Sequence, residues 1–180
     1  MGAAWRVAKG RHVIRPVRAL AERLPPPLWW RLKKLEIRRR GWASVQTADD
    51  AGSIAWAYTV GFDAMLGRPE LVIANRDHGT TERLFGLAYR GLRTGDLIIR
   101  DGEPWEICGL PRAVWRKVDR SRITTARFAM AMLHRRERGY DPNQLQVFQL
   151  VLPGFEGRLP WEPGYLEEER AHTAELWLPA

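Results

Sequence analysis

Beyond Gly41 the apolar residues recur at every second position in a series of short runs, separated by Gly, Pro, Asn and Asp. A period of two places side chains alternately on the two faces of a pleated strand, whereas a helix needs a period near 3.6. This alternation marks a series of strands from Gly41 onward. The strongest case is WAYTVGF (56–62). Extended, it points Trp56, Tyr58, Val60 and Phe62 to one side and Ala57, Thr59 and Gly61 to the other. The bulky side belongs to a core, and the small side must admit a closely packed neighbour or a ligand.

The same reading predicts strands over WASVQTA (42–48), 53–62, PELVIAN (69–75), AVWRKVD (113–119) and LQVFQLVLP (145–153). It predicts a hairpin joining 96–102 to 104–110 around Asp101-Gly102, a favoured turn pair. Two segments follow helical spacing instead. Over 78–95, Leu84, Phe85, Ala88 and Leu92 form a stripe, and over 121–139 Ile123, Ala126, Met130 and Leu133 do so. Strands outnumber helices without alternating strictly with them. The expected fold is therefore α+β: one domain over 41–166, with a largely antiparallel sheet packed by two main helices. A C-terminal tail, 167–180, and a basic helical N-terminal arm complete the chain.

Charge marks the arm off. Residues 1–40 hold 12 Lys+Arg and two acids, Glu22 and Glu36, a net of +10; the other 140 hold 29 − 12 = 17 bases and 21 − 2 = 19 acids, a net of −2. The high isoelectric point thus describes the arm. After LPPP (24–27), LWWRLKKLEIRRR (28–40) reads as a basic amphipathic helix with Leu28, Leu32 and Leu35 on one face and Trp29 alongside. Arg31, Lys33, Lys34, Arg38, Arg39 and Arg40, with Trp29 and Trp30, suit three roles: packing on the domain, lying on an anionic membrane surface, or contacting nucleic acid or an acidic protein. The N-terminal bases precede no apolar stretch of the kind a signal peptide needs, and no apolar run is long enough to span a membrane. One cysteine, Cys108, reads as a small buried hydrophobe in a reducing compartment. The expected setting is cytoplasmic, with a peripheral place at the inner membrane surface as the variant.

No strong catalytic motif is present. GLAYRG (86–91) lacks the Lys-Ser/Thr of a phosphate loop and lies within a helical stripe, and neither G-x-G-x-x-G nor G-x-S-x-G occurs. The four histidines are scattered, Cys108 with His78 has no support as a nucleophile–base pair, and no metal or cofactor is expected. The polar residues that interrupt apolar strands carry more information, because a buried hydroxyl, amide or carboxyl must find a partner. These are Tyr58, Thr59 and Gln149, the last two placed to meet across a sheet. Arg68 and Glu70 bracket Pro69, and Arg158, Trp161 and Glu162 sit on a proline-stiffened loop. Together they are the candidate lining of a ligand site beside the 57–61 face.

WAYTVGF, GRPELVI and the late FQLVLPGFEGRLPWEPGY together resemble the bacterial family catalogued as domain of unknown function 4262, over about residues 41–166. The resemblance implies an α+β domain and no mechanism. Relatives often place a histidine before Pro-Glu-Leu, where this chain has Arg68, which stays protonated and cannot replace a base. They often follow the third strand with Phe-Gly-Leu-Pro, where this chain has Ala74-Asn75-Arg76-Asp77. The leading functional expectation is a non-catalytic binding or adaptor domain whose arm engages an anionic partner. The alternatives are a small-molecule enzyme or sensor, and a purely structural subunit that stabilises a partner.

Overall fold

The computed structural model describes residues 26–48, 55–74, 76–106, 112–170 and 173–179. Most of the arm, and Cys108, lie outside them. The chain divides into two compact units, residues 1–35 and 36–180. No helix among the described residues is long and apolar enough to cross a membrane.

Helix α1 spans Pro26–Arg40, two residues earlier than its periodicity suggests. A proline at the start of a helix loses no hydrogen bond, so the LPPP segment opens the helix as readily as it breaks one. Leu28, Leu32 and Leu35 are 42%, 49% and 45% exposed, whereas Trp30 and Ile37, seven residues apart and so on one face, are buried.

The α+β expectation holds. Among the described residues six strands form one sheet in the order β1 (Ala43–Ala48), β2 (Ala55–Val60), β3 (Glu70–Ala74), β6 (Val147–Val151), β5 (Ala113–Lys117) and β4 (Pro104–Trp105). All neighbours are antiparallel except β3 and β6, which run parallel at the centre. β3 is buried along nearly its whole length and β6 along all of it, which matches their continuous apolar runs.

Both sides of β2 are buried. Ala57 joins the apolar cluster of Leu71, Ile73, Trp115 and Leu150 with Leu84, Phe85, Ala88 and Leu92 of α3 (His78–Thr94). The small side of WAYTVGF therefore admits a helix. On the opposite side Tyr58 meets Phe128 of α4 (Thr125–Glu137) edge-on, with ring centroids 5.2 Å apart. There α4 departs from helical geometry at Phe128, and the Met130 amide donates to the Tyr58 hydroxyl at 3.3 Å. Burial pushes the Tyr58 phenol above its ordinary range, so it stays a neutral hydrogen-bonding partner.

Two local expectations fail. Residues 97–100 are not a strand. Leu97 and Ile99 pack on the α3 cluster, and the Asp101-Gly102 turn pairs forward: Gly102 N–H donates to Trp115 O at 2.7 Å, and the Asp101 carboxylate accepts from Lys117 N–H at 2.7 Å. The second strand also ends at Val60, and Phe62–Leu66 forms a short helix, α2. Gly61 makes this reversal at φ +121°, where a Cβ would lie 2.8 Å from the Gly41 carbonyl oxygen. Side chains rarely adopt such a backbone.

Gly61→Ala is expected to lower stability by about 2–4 kcal/mol, from backbone strain plus a clash with main chain that cannot give way. Gly67→Ala, at φ +62° with open space around it, is expected to cost only about 1 kcal/mol. Urea unfolding of the two variants checks this, and equal midpoints would contradict it.

Candidate functional site

The reversal at Gly61 is held by one carboxylate. Glu70 opens β3 and is 2% exposed. Its Oε2 accepts from the Thr59 hydroxyl at 2.6 Å and from Phe62 N–H at 3.2 Å, and its Oε1 from Gly61 N–H at 2.8 Å and Asp63 N–H at 3.2 Å. The Thr59 hydroxyl in turn accepts from Leu71 N–H at 2.8 Å. Glu70 therefore closes the first turn of α2, whose amide groups have no partners within the helix. Burial pushes the Glu70 carboxyl up to about 7, against the lowering effect of the bonds from Thr59, Gly61 and Asp63. All four bonds are donated to Glu70, so it has no free oxygen with which to act on a ligand.

The loop fixed in this way forms one wall of a cleft of about 550 Å³. Asp63, Gly67, Arg68 and Pro69 form that wall. Lys117 and Arg120 stand opposite, Val118, Ile123, Leu145 and Val147 supply a buried apolar floor, and Asn143, Gln144 and Gln146 add amides. Arg135 reaches in from α4, where it pairs with Asp63 and donates to the Asp141 carbonyl at 2.7 Å. Asp119 caps the 3-10 turn Arg120–Arg122 by accepting from Ser121 N–H at 2.9 Å, which fixes the direction of the chain beside Arg120. Arg68, Lys117 and Arg120 are exposed, and none has a carboxylate partner among the described residues. The cleft thus holds four basic side chains and one acid, and that acid is already paired.

The candidate residues do not assemble into one lining. Thr59 and Glu70 meet in the latch, Tyr58 packs under α4, and Arg68 alone reaches the cleft. Gln149 does not meet Thr59. It pairs in register with Val72, and its amide binds the C-terminal segment, donating to Ala174 O at 2.6 Å and accepting from Leu176 N–H at 3.1 Å. Arg158, Trp161 and Glu162 knit their own loop. Arg158 donates to Pro163 O at 2.5 Å, and Glu162 accepts from Leu159 N–H at 2.8 Å. Trp161 stands edge-on to Trp177 with Arg116 over both rings. A second cavity, of about 460 Å³, lies beside this loop, with Phe155, Leu166 and Tyr165 in its wall. Neither cavity is lined by residues 57–61.

On α1, Arg31, Arg38 and Arg39 are exposed, Trp29, Lys33 and Lys34 are half-buried, and Trp30 is buried beneath the Lys34 ammonium, which lies 5.7 Å from its ring. Arg40 turns inward instead. It binds Glu36 and Glu82, the latter at 2.8 Å, and covers the Trp42 ring at 3.8 Å.

The sequence reading missed Lys117, Arg120 and Arg135. They come from separate segments with no common spacing, and each is an ordinary surface base until the fold brings it to the cleft.

A family model described as Domain of unknown function (DUF4262) matches residues 36–166. No curated protein and no solved structure matches the chain.

Thr59→Val is expected to cost about 2 kcal/mol, because it leaves the Leu71 N–H buried without a partner and takes from Glu70 Oε2 the shorter of its two hydrogen bonds. Unchanged unfolding would remove the latch from this account. Glu70 also sets a pH dependence. Its unfolded carboxyl ionises near 4.5 and its folded one near 7, so the folded state holds the proton longer. The stability this proton confers is complete below pH 4.5 and is lost as pH rises through 7. The difference in stability between wild type and Glu70→Gln is expected to shrink by about 3 kcal/mol over that window. A flat difference in denaturation curves measured at several pH values would refute it.

Proposed function

The chain belongs to the domain of unknown function 4262 family, over residues 36–166, and we propose that it is a non-catalytic binding domain that engages an anionic partner through its basic arm. The observation that carries this reading is the set of exposed guanidinium groups on α1, Arg31, Arg38 and Arg39, which have no carboxylate partner among the described residues. Charges left unpaired on a helix within a segment of net +10 produce a strong positive potential. The buried and cleft carboxylates favour binding over chemistry. Glu70 is filled by four donors, and Asp63 is held by Arg135. General acid–base catalysis needs a group free to exchange a proton with a substrate, and these two are committed to the fold.

The partner's chemistry is that of a polyanion. Exposed Leu28, Leu32 and Leu35 beside these bases also fit an anionic lipid surface, so the two partner types must be separated by measurement. The full chain is expected to bind duplex DNA with an affinity that falls steeply as salt rises. Arg31→Glu/Arg38→Glu/Arg39→Glu should weaken that binding at least about tenfold while leaving thermal unfolding nearly unchanged. Binding to anionic vesicles that is lost in Leu32→Asp, without DNA binding, would assign the arm to a membrane surface. Wild-type binding to neither, or a triple variant that binds as tightly as wild type, would defeat the proposal.

A further inference from the structure

The cleft beside the Glu70 latch lies within residues 63–147 and has a chemistry of its own. Its polar lining carries four positive side chains, Arg68, Lys117, Arg120 and Arg135, against the single carboxylate of Asp63, a net of +3. Asp63 and Arg135 neutralise each other. That leaves Arg68, Lys117 and Arg120, which come from the loop before β3, the end of β5 and the 3-10 turn after it. Bases with no carboxylate partner repel one another, and without a counter-ion they would be expected to spread into water rather than ring one concavity. Beneath them the floor is dry: Val118, Leu145 and Val147 are each 2% exposed or less. Asn143, Gln144 and Gln146 add neutral donors and acceptors at the edge.

We propose that this cleft binds a small organic phosphate. A phosphomonoester carries close to two negative charges and three acceptor oxygens at neutral pH, which matches the three unpaired cations better than a single carboxylate does. Arginine addresses such oxygens two at a time, and lysine does so as a point charge. The organic part lies over the apolar side of the lining, where Ile123 is the most accessible residue, and the amides read its polar edge. A volume near 550 Å³ is within the range of small-molecule sites and larger than a bare ion requires. Glu70 acts here only as a positioning residue, since it fixes the loop that carries Asp63 and Arg68.

The test is thermal unfolding of the full chain. Sodium phosphate is compared with sodium chloride at equal ionic strength, and adenosine 5′-monophosphate with adenosine. Phosphate is expected to raise Tm above the chloride control. The nucleotide should raise it further at equal concentration, and adenosine should not. Arg68→Gln/Lys117→Gln/Arg120→Gln, all at exposed positions, should fold normally and lose the response, with affinity weakened at least about tenfold. Arg83→Gln, exposed on α3, should keep it. No response of wild type to either phosphate compound overturns the proposal. So does a cleft variant that responds like wild type, or an Arg83→Gln variant that loses the response equally. Because the variants touch no residue of α1, failure here leaves the arm's polyanion binding to be judged on its own measurement.

Discussion

The buried carboxylate of Glu70 is the contact on which this end of the domain depends. A reversal at φ +121° followed at once by a helix exposes successive amide N–H groups in a place that water does not reach. Such groups need an acceptor, and a carboxylate satisfies several at once and complements the helix dipole. Taking that charge out of water is costly, which is why burial drives its pKa upward even while four donors hold it. Burial outweighs the donors, so the carboxyl is pushed up to about 7. Thr59 completes the arrangement by passing the bond on to Leu71 N–H, so the start of β3 and the end of β2 are joined through side chains where the strand pairing stops.

Both walls of the cleft depend on features of this kind. Asp63 and Arg68 sit where they do because α2 is closed by Glu70, and Arg120 because Asp119 caps its turn. The parallel β3–β6 pair lies behind them, with Glu70 N–H donating to Gln146 O at 3.0 Å, so the amides that line the cleft and the latch are joined through the main chain. Chain that is pinned at its backbone can hold unpaired charge at the surface without rearranging to relieve it.

Much of the architecture was legible in the residues. Short apolar runs bounded by turn residues marked the strands, and a 3.6 period marked α3, because both patterns follow from burying apolar side chains. The failures have physical causes. Gly61 reads as one more small residue in a strand, and only a carboxylate nine positions on makes it a reversal. Leu97 and Ile99 alternate as a strand does, yet they serve the α3 cluster while the following turn pairs with β5.

The motif residues illustrate the same limit. Thr59 and Glu70 stood out as polar interruptions, and the rule that buried polar groups are satisfied required partners for them without naming those partners. Gln149 obeyed the rule too, but with the chain's own tail. What the sequence by itself determined was the α+β class, the family and the strongly basic N-terminus, since composition and local period are properties of neighbours along the chain. Only the tertiary structure decided that Glu70 is a latch, and that Arg68, Lys117, Arg120 and Arg135 face one cleft. Those relations join residues from separate elements, and their energies depend on distance and burial rather than on spacing in the chain.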